Sequence, residues 1–247
     1  GVLLDVDRSL WSLPRRWLLR RGYWRRQNSR LGSRRNIADH YDLSDELFRQ
    51  FLDPSMTYSS AWFDHPEQSL ADAQASKLRR LCELVDLGSE DRLLEIGTGW
   101  GSLAMTAAGS FGADVTTTTI SRNQFQTASE RVAQAGLAGR VKLLQKDYRD
   151  LEGSYDKLLS CEMIEAVGAR YLPEFLRRCA ARLRPGGVLG LQAITIADQH
   201  YESALRSVDY IKRHVFPGSF IPSVTAITQA ATKHTAACAQ RRAASKE

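Results

Sequence analysis

The chain has 247 residues, of which 43% are hydrophobic and 25% charged, an ordinary globular composition that allows one substantial core plus an appendage. No apolar stretch is long enough to cross a bilayer, and the N-terminus lacks the basic stub, apolar run and cleavage site of a signal peptide, so a soluble chain is expected. Cys82, Cys161, Cys179 and Cys238 are scattered without metal-ligand spacing, which fits a reducing compartment and argues against a disulfide framework or a cysteine-held metal.

The net charge of +6 is unevenly placed. Residues 1–35 hold ten arginines against Asp5 and Asp7, interleaved with Leu10, Trp11, Leu13, Trp17, Leu18, Leu19, Tyr23 and Trp24. A basic amphipathic segment of this kind suits an anionic membrane surface. A nucleic acid would attract it too, and a linker helix with solvated arginines is a third reading.

In chain order, residues 1–35 read as helix and linker, broken near Pro14 and Gly22. Residues 36–90 read as mostly helical, with a loop around Asp53-Pro54 and His65-Pro66. The period then changes. Strands are expected at 92–96, 114–120, 141–145, 157–161 and 188–196, with helices after Gly101, over 122–135 and over 172–183, and a turn at Pro185-Gly186-Gly187. This βαβ series predicts an α/β fold, a parallel sheet with helices on both faces and a ligand at the carboxyl ends of the first strands. A helix is expected over 201–214, and 230–247 reads as an irregular tail. No sixth or seventh strand is legible, so the chain is expected to be cut short at its C-terminus, leaving a sheet edge uncovered.

The motif Glu95-Ile96-Gly97-Thr98-Gly99-Trp100-Gly101 places an acid at the end of a strand and three alternate glycines in the turn opening a helix. Glycines permit positive φ and close approach of a ligand to the backbone, while Glu95 can accept from an amine-bearing ligand or orient loop amides. The spacing differs from the Gly-x-Gly-x-x-Gly of dinucleotide proteins. It resembles the S-adenosylmethionine loop of Rossmann-like class I methyltransferases. The second strand ends in hydroxyls rather than an acid, which makes Thr119, Ser121 and Gln124 the candidates for binding a ribose diol. At the end of the third strand, Asp147 and Tyr148 either flank an adenine or act as a loop cap and a packed aromatic.

Five ordered blocks carry a more specific resemblance: His40-Tyr41-Asp42-Leu43 with 51–63, Glu95 to Gly101, Thr119 to Gln124, Cys161 to Gly168, and Phe216 to Ser223. They resemble the cyclopropane-fatty-acyl-phospholipid synthases and mycolic-acid methyltransferases over residues 36–229. The resemblance implies S-adenosylmethionine as cofactor, with Tyr41, Tyr58 and Ser59 closing over its methionine part and Gly97, Gly99, Thr119 and Gln124 binding the remainder. It divides the chain into a basic segment (1–35), a helical cap contributing to cofactor and acyl-chain pockets (36–90), the cofactor domain (91–229) and the tail. It also implies an unsaturated phospholipid acyl chain as substrate, an enzyme peripheral at the inner face of the membrane, and a homodimer as one assembly. In such enzymes the olefin attacks a sulfonium methyl, so an anion must face the cation that forms and a base must take a proton. The resemblance assigns this to a bicarbonate held near Glu165, with Ser60 standing where many members have Cys and Gln192 where His is frequent. A nucleic-acid partner is not expected, since no Asn-Pro-Pro-Tyr-type motif appears. The rival expectation is an inactive lipid- or cofactor-binding remnant of the family.

Overall fold

The computed structural model describes residues 28–30, 32–33 and 45–233. The arginine-rich segment up to residue 27, Tyr41 and the tail from residue 234 lie outside the described residues.

Strand β1, Arg92–Ile96, is the centre of the sheet and buries every residue after Arg92. It is flanked by β2 (Asp114–Thr118) and β4 (Tyr155–Cys161), with β3 (Val141–Leu144) and β5 (Leu183–Gln192) outermost, in the order β3-β2-β1-β4-β5. All four pairings are parallel. Side chains alternate across a strand, so neighbours in β1 and β4 serve opposite layers. Leu93 and Leu159 join one cluster with Leu78, Leu81 and Cys82 of helix α2 (Leu70–Leu84), Leu103, Ala104 and Ala107 of α3 (Ser102–Phe111), and Val132 of α4 (Arg122–Gln134). Leu94, Ile96 and Leu158 join the other, with Phe175, Leu176 and Cys179 of α5 (Leu172–Arg182). The expected α/β architecture, a parallel sheet with helices on both faces, is therefore present.

Several boundaries differ from expectation. The strand expected over 114–120 stops at Thr118, because Thr119 to Ser121 turn into α4, whose N-cap Ser121 accepts from the Gln124 N–H. The Pro185-Gly186-Gly187 turn lies inside β5: Tyr155 pairs with Leu183 but Lys157 pairs with Val188, so the glycines form a bulge rather than an end. β5 then stops at Gln192, short of the expected Ile196. Between residues 45 and 90 only the five-residue helix α1 (Asp45–Arg49) and α2 are helical. The loop between them is held by Asp53, whose carboxylate accepts from the Ser55 N–H (2.9 Å) and hydroxyl (2.9 Å), with Met56 at φ 58°. The helix expected over 201–214 splits into α6 (Asp198–Arg206) and a π-turn at Ile211–Val215. A further helix, α7 (Val224–Thr232), capped by Ser223, packs Ala230 and Ala231 into the Phe175 layer, so the part of the expected tail before residue 233 is ordered helix. Among the described residues no strand lies beyond β5, and no helix is long and apolar enough to cross a membrane.

Candidate active site

The carboxyl ends of β1, β2 and β4 open into one cavity, lined among others by Glu95, Gly97, Gly99, Thr119, Gln124, Asp147, Tyr148 and Glu162. The glycine turn takes left-handed conformations at Gly97 (φ 104°), Gly99 (φ 52°) and Gly101 (φ 91°). A Cβ at Gly97 would come within 3.0 Å of Met163, and one at Gly101 within 3.3 Å of Ala128. Gly97 thus brings the turn against the end of β4, while Gly101, which does not line the cavity, seats α3 beside α4. The Gly97 and Thr98 N–H groups donate to the Thr118 carbonyl, fixing the turn to β2.

Glu95 is 2% exposed. Burial pushes its carboxyl up to about 8, against the lowering effects of the Thr117 hydroxyl and the Lys77 charge. Its Oε2 is buried without a hydrogen-bond partner. Thr119, Ser121 and Gln124 form a closed network: the Thr119 hydroxyl donates to Gln124 Oε1 (2.8 Å) and accepts from the Ser121 N–H (3.1 Å). Ser121 is spent on capping and lies off the cavity, whereas Thr119 and Gln124 line it.

Asp147 caps the turn after β3 and also lines the cavity. Its Oδ1 accepts from Arg149 N and Nε (3.0 and 2.8 Å) and its Oδ2 from Arg149 NH2 (2.6 Å), in a pair 4% and 7% exposed. Burial works to raise the Asp147 carboxyl, but the Arg149 hydrogen bonds and charge outweigh it and hold it below its usual value. Both carboxylate oxygens are occupied, so an adenine amine would have to share them with Arg149. Tyr148 packs edge-on against Phe175 with centroids 5.3 Å apart while still bordering the cavity.

The segment from Met56 to Ser59 covers the cavity from the α2 side. Tyr58 is 36% exposed and stacks on Phe216 (6.4 Å) and edge-on against Phe48 (5.2 Å), which joins the cap loop to the block around residue 216. The Ser59 hydroxyl accepts from Lys77 Nζ at 2.6 Å, and its carbonyl accepts from Gln74 Nε2 at 2.7 Å. Arg131 of α4 donates to the Ser55 carbonyl (2.9 Å) and the Trp100 carbonyl (2.7 Å), tying the cap to the glycine turn. Lys77 and Arg131 escaped the sequence reading because each looks like an ordinary solvated charge on an amphipathic helix.

Of the three catalytic candidates, two meet on a residue that had not been singled out. The Ser60 N–H (3.0 Å) and hydroxyl (2.8 Å) and Gln192 Nε2 (2.8 Å) all donate to Glu162 Oε1. Glu162 directly follows β4 at φ 46°, and its N–H donates to the Gln192 carbonyl at 2.8 Å. Glu165 stands apart: its Oε1 accepts from the Ile194 N–H at 2.6 Å, and its Oε2 is buried without a partner. Burial pushes Glu165 up to about 7, with the nearby Glu162 charge adding to the rise. Ser60, Glu165 and Gln192 are not among the residues lining the cavity, whereas Glu162 is. The signal for Glu162 was present in the Cys161-to-Gly168 block, where two acids lie three residues apart, but spacing alone does not say which of them faces the ligand.

The family model for mycolic acid cyclopropane synthetase matches residues 28–243. A tuberculostearic acid methyltransferase of Mycobacterium tuberculosis is 42% identical over 215 residues, covering 84% of this chain and 50% of the relative. The cyclopropane-fatty-acyl-phospholipid synthase of Escherichia coli is 36% identical over 196 residues, covering 79% and 49%. The chain thus spans about half the length of these curated relatives. A solved mycolic acid cyclopropane synthase, complexed with SAH and CTAB, superposes with a TM-score of 0.76 at 28% identity, covering 81% of this chain and 74% of that one. With a family match that runs through both the glycine turn and the Glu162 end of β4, this chain belongs to the mycolic acid cyclopropane synthetase family.

Proposed function

We propose that this chain carries the active site of an S-adenosylmethionine-dependent enzyme that adds a methylene to the cis double bond of an unsaturated phospholipid acyl chain, forming a cyclopropane fatty acid. The observation that carries the reading is the convergence of the glycine turn and the Met56-to-Ser59 segment on one cavity floored by Glu95. The residues fit the cofactor: a buried carboxylate oxygen without a partner suits an amine-bearing cation, and the positive-φ glycines admit a ligand close to the backbone. When bound, the cofactor supplies an electrophilic methyl on a sulfonium. Gly97, Gly99, Thr119 and Gln124 hold it, while Tyr58 and Ser59 screen it from water. Tyr58, which lines the cavity, packs against Phe51 and Phe216, and this aromatic group offers an apolar approach for an acyl chain.

Bicarbonate fits less well, since the Ser60 and Gln192 donors expected to hold it already bond Glu162. The arginine-rich segment 1–35 completes the reading as an attachment to anionic lipid at the inner face of the membrane. A methyl-branched product is the second reading, favoured by the 42% identity to a relative named a tuberculostearic acid methyltransferase.

The test is incubation of the chain with methyl-labelled S-adenosylmethionine and vesicles of unsaturated anionic phospholipid, followed by mass spectrometry of the released acyl chains. A labelled ring methylene supports cyclopropanation and a labelled branch the second reading, with Glu165→Gln as the control for the catalytic end. Cofactor binding without transfer sinks both and leaves the inactive remnant.

A further inference from the structure

Glu162 combines three features that an ordinary surface acid lacks. It adopts a left-handed backbone (φ 46°) that residues with a Cβ reach only under strain. Its Oε1 takes three hydrogen bonds, two from Ser60 and one from Gln192, so that side is locked. Among the described residues no hydrogen bond is made to Oε2, and the residue lines the cofactor cavity beside Gly97, Tyr58 and Ser59. A left-handed residue held by three donors at the wall of a cavity is the kind of strained position found at functional sites.

The donors come from two elements far apart in sequence, the loop after Ser59 and the end of β5. Ser60 and Gln192 are also joined directly, Gln192 Nε2 donating to the Ser60 carbonyl at 3.3 Å. Such a pair of N–H and O–H groups around one point binds an anionic oxygen, and that point is filled by the chain's own carboxylate.

Building on the proposed function, we propose that Glu162 supplies the anion and proton acceptor of the reaction in place of bound bicarbonate. The alkene π pair forms a carbon–carbon bond to the sulfonium methyl as the carbon–sulfur bond breaks, releasing a neutral thioether and leaving a cation on the second alkene carbon. Glu162 Oε2 takes a proton from the transferred methyl, and the freed C–H pair closes the ring. The carboxylic acid then returns its proton to solvent. No oxidant or reductant is required. The three Oε1 bonds hold the carboxylate in place while charge develops opposite Oε2.

The test titrates ¹³C-labelled bicarbonate into the purified chain and into Glu162→Gly, which removes the carboxylate, suits the left-handed backbone and leaves the three donors without their acceptor. The chain is expected to show no saturable bicarbonate binding and Glu162→Gly to show it, with a melting temperature that rises on adding bicarbonate. In parallel, turnover of unsaturated phospholipid vesicles in CO2-stripped buffer should match that with bicarbonate added, and Glu162→Gln should lower it by at least ~100-fold. Saturable bicarbonate binding by the unaltered chain, dependence of its turnover on bicarbonate, or retained rate in Glu162→Gln would overturn the inference. The binding arm decides even if no lipid is turned over; absent turnover with S-adenosylmethionine bound counts against the proposed function alone.

Discussion

Lys77 reaches the Ser59 hydroxyl across 2.6 Å, so a buried cation on α2 holds the loop that covers the cofactor cavity. The same ammonium lies near enough to Glu95 to lower its pKa and so eases the burial of that carboxylate. Lys77→Met keeps the aliphatic stem and removes the donor. Cofactor affinity is expected to weaken about tenfold, on the scale of one hydrogen bond to a charged group. Isothermal titration with S-adenosylhomocysteine measures it, and affinity equal to that of the unaltered chain would remove Lys77 from the site.

Glu95 makes cofactor binding dependent on pH. Burial holds its carboxyl at about 8 in the free chain, so near neutrality the group is largely protonated. An amine-bearing cation favours the ionised form, so binding releases a proton, and affinity should rise with pH up to about 8 and level off above it. Titrations in two buffers of different ionisation enthalpy count that proton. Glu95→Gln should flatten the profile; a profile that persists in this variant would place the titrating group elsewhere.

The Asp147–Arg149 pair is a buried ion pair whose loss from one side leaves an uncompensated charge. Asp147→Ala is expected to destabilise the fold by about 3–5 kcal/mol, and the double variant with Arg149→Met to recover much of this. The pH dependence follows from the lowered carboxyl: the pair's contribution is fully present above the usual Asp range and is lost as pH falls through the lowered value. Denaturant melts of the single and double variants, compared at neutral and acid pH, test both statements.

The glycine turn separates two costs. Gly99→Ala meets nothing within 4 Å and should cost only about 1 kcal/mol for its left-handed backbone. Gly97→Ala shares that cost and adds a Cβ 3.0 Å from the Met163 side chain, so it should be the more destabilising, by about 1–3 kcal/mol. Equal melting temperatures for the two variants would contradict the packing of Gly97 against β4.

Much of this was legible in the chain itself. The strand periods around Leu93–Leu94 and Leu158–Leu159, the alternate glycines after Glu95 and the Ser121 cap are local patterns, and each is repeated in the fold. Boundaries failed where a local signal had two meanings: Pro185-Gly186-Gly187 reads as a turn, yet a strand paired to β4 can loop three residues out as a bulge. Residues 50–69, expected to be helical apart from the Asp53-Pro54 and His65-Pro66 steps, carry no α-helix, and near their start the Asp53 carboxylate accepts from the Ser55 N–H, a side-chain bond that competes with helix for a backbone donor.

By itself the sequence determined the parallel sheet, the glycine turn at its carboxyl edge and the family, because strand period, turn chemistry and motif spacing are properties of neighbouring residues. Only the tertiary structure decided which groups meet: Ser60 and Gln192 lie 102 and 30 positions from Glu162, Lys77 lies 18 from Ser59, and Arg131 lies 76 from Ser55. Hydrogen bonds act over about 3 Å. Such partners are therefore chosen by how the crossovers bring β4, β5 and the cap loop together, which no spacing along the chain specifies.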